Sequence, residues 1–140
     1  MKPVFECVIP GQPVVKKNNQ KVVWRNGKPM KINTPAFRLW HANAIKELHL
    51  WSRPSVPIDY PVIMQVEFYM RSRRRVDISN LYEGIQDVLS EMNVIMDDSC
   101  IVIIGHDGSR VYFDPDNPRM RVKLMRVGAW QPWSSTPANE

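Results

Sequence analysis

Between Val62 and Met70 every second residue is apolar: Val62, Met64, Val66, Phe68 and Met70 alternate with neighbours that are on balance more polar. A period of two puts all five on one face of a single strand. Such a face is stable only under a second layer. Two amphipathic stretches can supply it. Thr34 as N-cap and Pro35 at the first helical position open a helix whose Phe37, Trp40, Ala44, Leu48 and Trp51 form an apolar stripe. His41 and His49 lie off that stripe and read as surface residues. A second helix covers about Ser79 to Met92 and buries Leu81, Ile85, Val88, Leu89 and Met92.

Shorter strands complete the layer. Val4–Ile9 places Phe5, Cys7 and Ile9 on one face and ends at Pro10, Gly11 and Pro13. Ile101–Ile104 is wholly apolar and reads as an interior strand. Met120, Val122 and Leu124 alternate with Arg121 and Lys123 in a last strand. Asn26-Gly27 joins Lys21–Arg25 to Lys28–Lys31 in a hairpin carrying basic residues beside Trp24, a combination that suits a nucleic-acid arm. The expectation is an α/β (α+β) domain: a mixed β-sheet with two main helices packed on it. Residues 1–126 form that single domain, and residues 127–140 form a polar, proline-rich tail.

No apolar run reaches membrane-spanning length, and no charged-then-apolar leader opens the chain. Cys7 and Cys100 sit in apolar runs, as reduced core thiols of a cytosolic protein do. Charge is distributed unevenly. Residues 76–100 hold six acids (Asp77, Glu83, Asp87, Glu91, Asp97 and Asp98) and no Lys or Arg, so the other 115 residues carry +11 of a chain whose net charge is +5. A basic shell around one acidic island suits a cation site that faces a phosphate backbone. A solvated acidic helix on a basic interaction protein would give the same count.

The stretch Arg73-Arg74-Arg75-Val76-Asp77-Ile78-Ser79-Asn80-Leu81, followed by Asp97-Asp98-Ser99, carries the chemistry. Asp77 stands where a strand gives way to a helix, and Asp98 just before an apolar strand. If that strand lies beside the one ending near Arg71, the two aspartates can converge. Converging carboxylates are what Mg2+ requires, and the preceding arginines would grip phosphates. An aspartate at a helix start is otherwise a cap, and Asp-Asp-Ser in a loop a turn.

These motifs resemble the signature of the RusA family of phage and prophage Holliday junction resolvases. Arg-Arg-Val-Asp-Ile-Ser-Asn-Leu, Asp-Val-Leu in the next helix and Asp-Asp-Ser before an apolar strand follow the family pattern, and the spacing from Asp77 to Asp98 fits it. So do Gly-Gln-Pro, Lys-Lys-Asn and the helix-opening Thr-Pro near the start; the similarity covers about residues 4–126. The resemblance implies a homodimeric, magnesium-dependent endonuclease that resolves four-way DNA junctions in recombination and repair, in the cytoplasm of a bacterium or phage-infected cell. It implies Asp77 and Asp98 as catalytic metal ligands, with Asp97 and Asp87 of second rank. Lys16, Lys17, Arg73, Arg74, Arg75 and Asn80 are assigned to DNA contact. Two positions depart from the pattern. Ser79 replaces a second aspartate, and Glu83 stands where the family often has a lysine. On a helical wheel Asp87 lies nearer Asn80 than Glu83 does, so Asp87 is the expected companion of Asp77. The departures also fit an alternative: a non-catalytic, structure-selective DNA-binding protein with a degenerate metal site.

Overall fold

The computed structural model describes residues 2–15 and 20–128. Lys16 and Lys17 and nearly all of the expected tail lie outside the described residues. The elements in chain order are β1 (Phe5–Pro10), β2 (Gln20–Arg25), β3 (Lys28–Asn33), α1 (Pro35–Leu48), β4 (Val62–Met70), α2 (Ile78–Glu91), β5 (Ile103–Gly105), β6 (Arg110–Phe113) and β7 (Arg119–Arg126). β7 runs antiparallel between β1 and β4, while β5 and β6 both pair parallel with β4 on its other side. Among the described residues β2 and β3 pair only with each other. This is the expected α+β arrangement, a mixed sheet with two helices. No helix among the described residues is long and apolar enough to cross a membrane.

The alternation along β4 sets the core. Its inward residues continue across the sheet in rows: Met64 beside Leu124 beside Phe5, Val66 beside Val122 beside Cys7, and Phe68 beside Met120 beside Ile9. All nine are buried. α1 and α2 add their stripes to the same core: Phe37, Trp40, Ala44 and Leu48 from the first, Leu81, Ile85, Val88 and Leu89 from the second. Thr34 caps α1 as expected, its hydroxyl accepting from the Phe37 N–H. The helices meet at Gly84, where an added Cβ would lie 3.1 Å from the Trp40 ring.

The fourth strand position is broken. β5 lies beside the start of β4 and β6 beside its end. Between them the chain leaves the ladder, and the buried Ser109 hydroxyl takes over its hydrogen bonds: it accepts from the Val66 N–H at 2.9 Å and reaches the Met64 carbonyl at 3.4 Å. Gly108 makes the break possible. Its φ is +82°, and a Cβ there would come within 2.6 Å of the Gln65 amide nitrogen.

Two expectations are corrected. The run Ile101–Ile104 is not an interior strand: β5 occupies the sheet edge, and Ile101 is exposed in the turn before it. Cys100 lies in that same turn and is exposed, so only Cys7 is a core thiol, its pKa pushed up to about 12 by burial. One strand has no counterpart in the sequence pattern. All four residues of β6 are exposed, so no apolar period marks it.

The ladder break yields a stability prediction. Ser109→Ala leaves the N–H of buried Val66 without its acceptor, and an unmade buried hydrogen bond costs about 1–3 kcal/mol. Urea unfolding of the variant should show that loss, with an unchanged slope if the unfolded surface is the same.

Candidate functional site

Asp77 occupies the N-cap position of α2, with extended backbone, yet its side chain makes no capping hydrogen bond. The carboxylate is exposed and lines a small hollow with Arg75, Val76 and Asn80. Capping, the bland role for an aspartate here, is therefore not the one it performs. The adjoining loop is fixed at its start by the Arg71 N–H, which donates to Gln12 Oε1 at 2.7 Å. Arg73 stacks over the Phe113 ring at 4.5 Å. Arg74 and Arg75 are exposed and line a hollow with Gln12, Ala36 and Met70.

Asp98 belongs to the other end of the sheet. The Met96 N–H donates to the Ile58 carbonyl and the Val62 N–H to the Val102 carbonyl, so the segment carrying Asp97 and Asp98 is tied to the start of β4. Asp77 follows the end of β4. Nine strand residues span about 26 Å, and the 14 residues of α2 that connect the two ends span about 21 Å. The apolar strand does lie beside β4, but parallel to it, and that direction keeps the two aspartates of one chain from converging.

A hollow of about 500 Å³ gathers four of the other five acids of the island: Asp87 and Glu91 from α2, Asp97 and Asp98 from the following loop, with Asn33 of β3 and Phe37 and His41 of α1 on its other side. Asp87 therefore keeps company with Asp98 rather than with Asp77, contrary to the helical-wheel expectation. Asp97 is committed to a turn. It accepts from the Ser99 N–H at 2.8 Å, and hydrogen bonding from the Ser99 side chain and backbone holds its carboxyl below the usual range. Sequence reasoning missed Glu91 and His41, whose Oε2 and Nε2 lie 2.6 Å apart. Glu91 could have been found as the i+4 neighbour of Asp87. His41 reaches the hollow only through the packing of α1 on α2, which no local pattern encodes. Ser79 and Glu83 are both exposed.

Among the described residues, no three of His, Cys, Asp and Glu stand close enough together to hold a metal ion. The donors are carboxylates, the chemistry that suits a hard divalent cation. One chain presents them in two separated halves.

The comparisons with known proteins point one way. The family described as Endodeoxyribonuclease RusA matches residues 10–125. The chain is also similar to a crossover junction endodeoxyribonuclease RusA of Aquifex aeolicus (strain VF5), 31% identical over 87 residues, which are 62% of this chain and 67% of that one. The match runs from β1's last residue to the penultimate residue of β7, including both aspartates and the arginine loop, and the chain belongs to the RusA family of endodeoxyribonucleases.

Proposed function

We propose that the protein is a magnesium-dependent endonuclease that resolves four-way DNA junctions as a symmetric dimer, with Asp77 and Asp98 as its metal ligands. The observation that carries this reading is the uncommitted carboxylate of Asp77, exposed at a helix start beside Arg75 and Asn80. The relative's printed name, crossover junction endodeoxyribonuclease, supports the substrate.

The separation of the two halves gives the dimer a chemical reason. A two-fold axis that sets α2 antiparallel to its copy brings the Asp77 end of one helix to the Asp98 end of the other, and does so twice. Two equivalent sites then serve the two opposed strands that a junction resolvase must cut. Asp77 of one copy and Asp98 of the other would hold the divalent cation, which would supply water activation and charge stabilisation at phosphorus. The chain's own part is to hold the DNA there: Arg74 and Arg75 are free to meet phosphates beside Asp77, Asn80 adds an amide, and Lys16 and Lys17 belong to the same basic set. Asp87 and Asp97, the second-rank ligands, flank Asp98 and add negative charge that draws a cation to it. Ser79 favours the second reading, a junction-binding protein that does not cut, because a hydroxyl brings no negative charge to the Asp77 half.

Magnesium-dependent cleavage of a synthetic four-way junction decides between the readings; binding without cutting at any magnesium concentration would select the second. Asp77→Asn or Asp98→Asn should abolish cutting while junction binding holds or tightens, because a negative charge facing phosphate is removed. Mixing the two inactive variants tests the shared site: exchange of protomers recreates one intact pairing and should restore nicking of a single strand. Light scattering should give twice the chain mass of 16.3 kDa. Replacing Arg74 and Arg75 by Ala should lower the slope of log affinity against log salt by about two, at roughly 0.9 for each phosphate that is no longer neutralised.

A further inference from the structure

The β2–β3 ribbon stands outside the five-stranded sheet and meets the candidate site at its root, where Asn33 lines the acidic hollow, and among the described residues it carries the most exposed aromatic residue. Trp24 is 71% exposed and its neighbour Val22 57%. Paired residues on antiparallel strands share a face, so the register sorts the ribbon into two. Three of the four cations, Lys21, Arg25 and Lys28, stand on one face, between Val23, Met30 and Ile32; Trp24, Val22, Pro29 and the fourth cation, Lys31, stand on the other. Asn26 and Gly27, both at positive φ, turn the tip. Residues 20–33 hold four cations and no acid.

We infer that this ribbon is a branch-reading DNA arm: Lys21, Arg25 and Lys28 hold the backbone of one duplex arm, and Trp24, on the opposite face, stacks on bases left unstacked at the junction. The inference rests on the proposed function and adds to it the residue that senses a branch. Charge selects the occupant. Two copies of the ribbon packed across a two-fold axis would set four cations against four, whereas a polyanion complements them. The face with three cations suits a backbone, and the exposed indole on the other suits an open base-pair face, with Lys31 on that same face to meet a flanking phosphate. An indole is suited to the second because every base offers a π-face. The ribbon's root is also well placed. Asn33 lines the acidic hollow with Asp87 and Asp98, and Ala36, at the start of α1, lines the hollow that holds Arg74 and Arg75.

The test compares a four-way junction with linear duplex of the same sequence by fluorescence anisotropy, for the wild-type protein, Trp24→Ala, Trp24→Phe and a Lys21→Ala/Arg25→Ala/Lys28→Ala variant. Trp24→Ala should lose about tenfold in junction affinity with duplex affinity nearly unchanged, and Trp24→Phe should recover most of that loss. The triple variant should weaken both substrates and flatten the salt dependence. Equal junction affinity in Trp24→Ala and wild type overturns the arm, as does an equal loss on both substrates. A Trp24→Ala protein that light scattering finds monomeric while the wild type is dimeric also overturns it and makes the ribbon a contact between copies. Wild-type protein that binds and cuts junctions keeps the proposed function standing in all of these cases. A wild type that binds no junction defeats the function itself and the arm with it.

Discussion

The parallel pairing of β4 with β5 and β6 governs the geometry of everything else. Parallel neighbours cannot be joined by a tight turn, so the chain must travel back along the sheet before the second strand begins. Here α2 is that return path. It leaves the sheet at the Met70 end, buries Leu81, Ile85, Val88 and Leu89 against the alternating face of β4, and arrives at the Val62 end. Any residues that open and close the crossover are thereby held a helix length apart. Asp77 and Asp98 are such residues. Their 21-residue spacing in sequence is a consequence of one helix and its two connections.

Much of this fold is legible in the residues themselves. The period of two along β4, the Thr-Pro start of α1 and the stripe of α2 each follow from a local rule, and each element forms where its rule places it. What escapes is non-local. β6 has no apolar period because its four residues lie at an edge, held by backbone pairing with β4 and by rings: Tyr112 stacks on Tyr69 at 5.1 Å, and Phe113 receives Arg73. Cys100 and Ile101 read as core because they continue an apolar run, yet they occupy the turn that precedes the short β5. The candidate site shows the same division. The composition of the acidic island and the arginine loop is visible in sequence. The distance between its halves depends on strand direction, which side-chain period does not encode.

The sheet's two faces divide the work of folding and exposure. One face is sealed by the helices. The other keeps Arg119, Arg121 and Lys123 of β7 beside Tyr69, Glu67 and Gln65 of β4. Arg119 illustrates how such a face is held without burial: its guanidinium lies 3.7 Å from the centre of the Tyr69 ring and 2.9 Å from Asp114, while the Tyr69 hydroxyl donates to Glu67. Each contact is modest at an exposed position. Together they order side chains that the hydrophobic core does not reach.

The helix that crosses between the strands is electrostatically disfavoured by its own sequence. α2 has no lysine or arginine, and Asp87 and Glu91 stand one turn apart near its C-terminal end. Like charges at that spacing repel by a few tenths of a kcal/mol, and acids near a helix C-terminus oppose the macrodipole by about 0.3–1 kcal/mol. His41 offsets part of this at Glu91. The balance is covered by burial, since each large apolar side chain of the α2 stripe contributes about 1.5–3 kcal/mol. A sequence free to choose would place cations on the last turn of such a helix. Keeping four acids around one hollow instead, in a chain whose remaining residues are strongly basic, breaks a local rule at a cost the core can absorb. Rules broken in this way concentrate where function requires them. Asp98, one of the two proposed metal ligands, lines this hollow, so the charge that burdens the helix stands where the proposal needs a cation to be drawn.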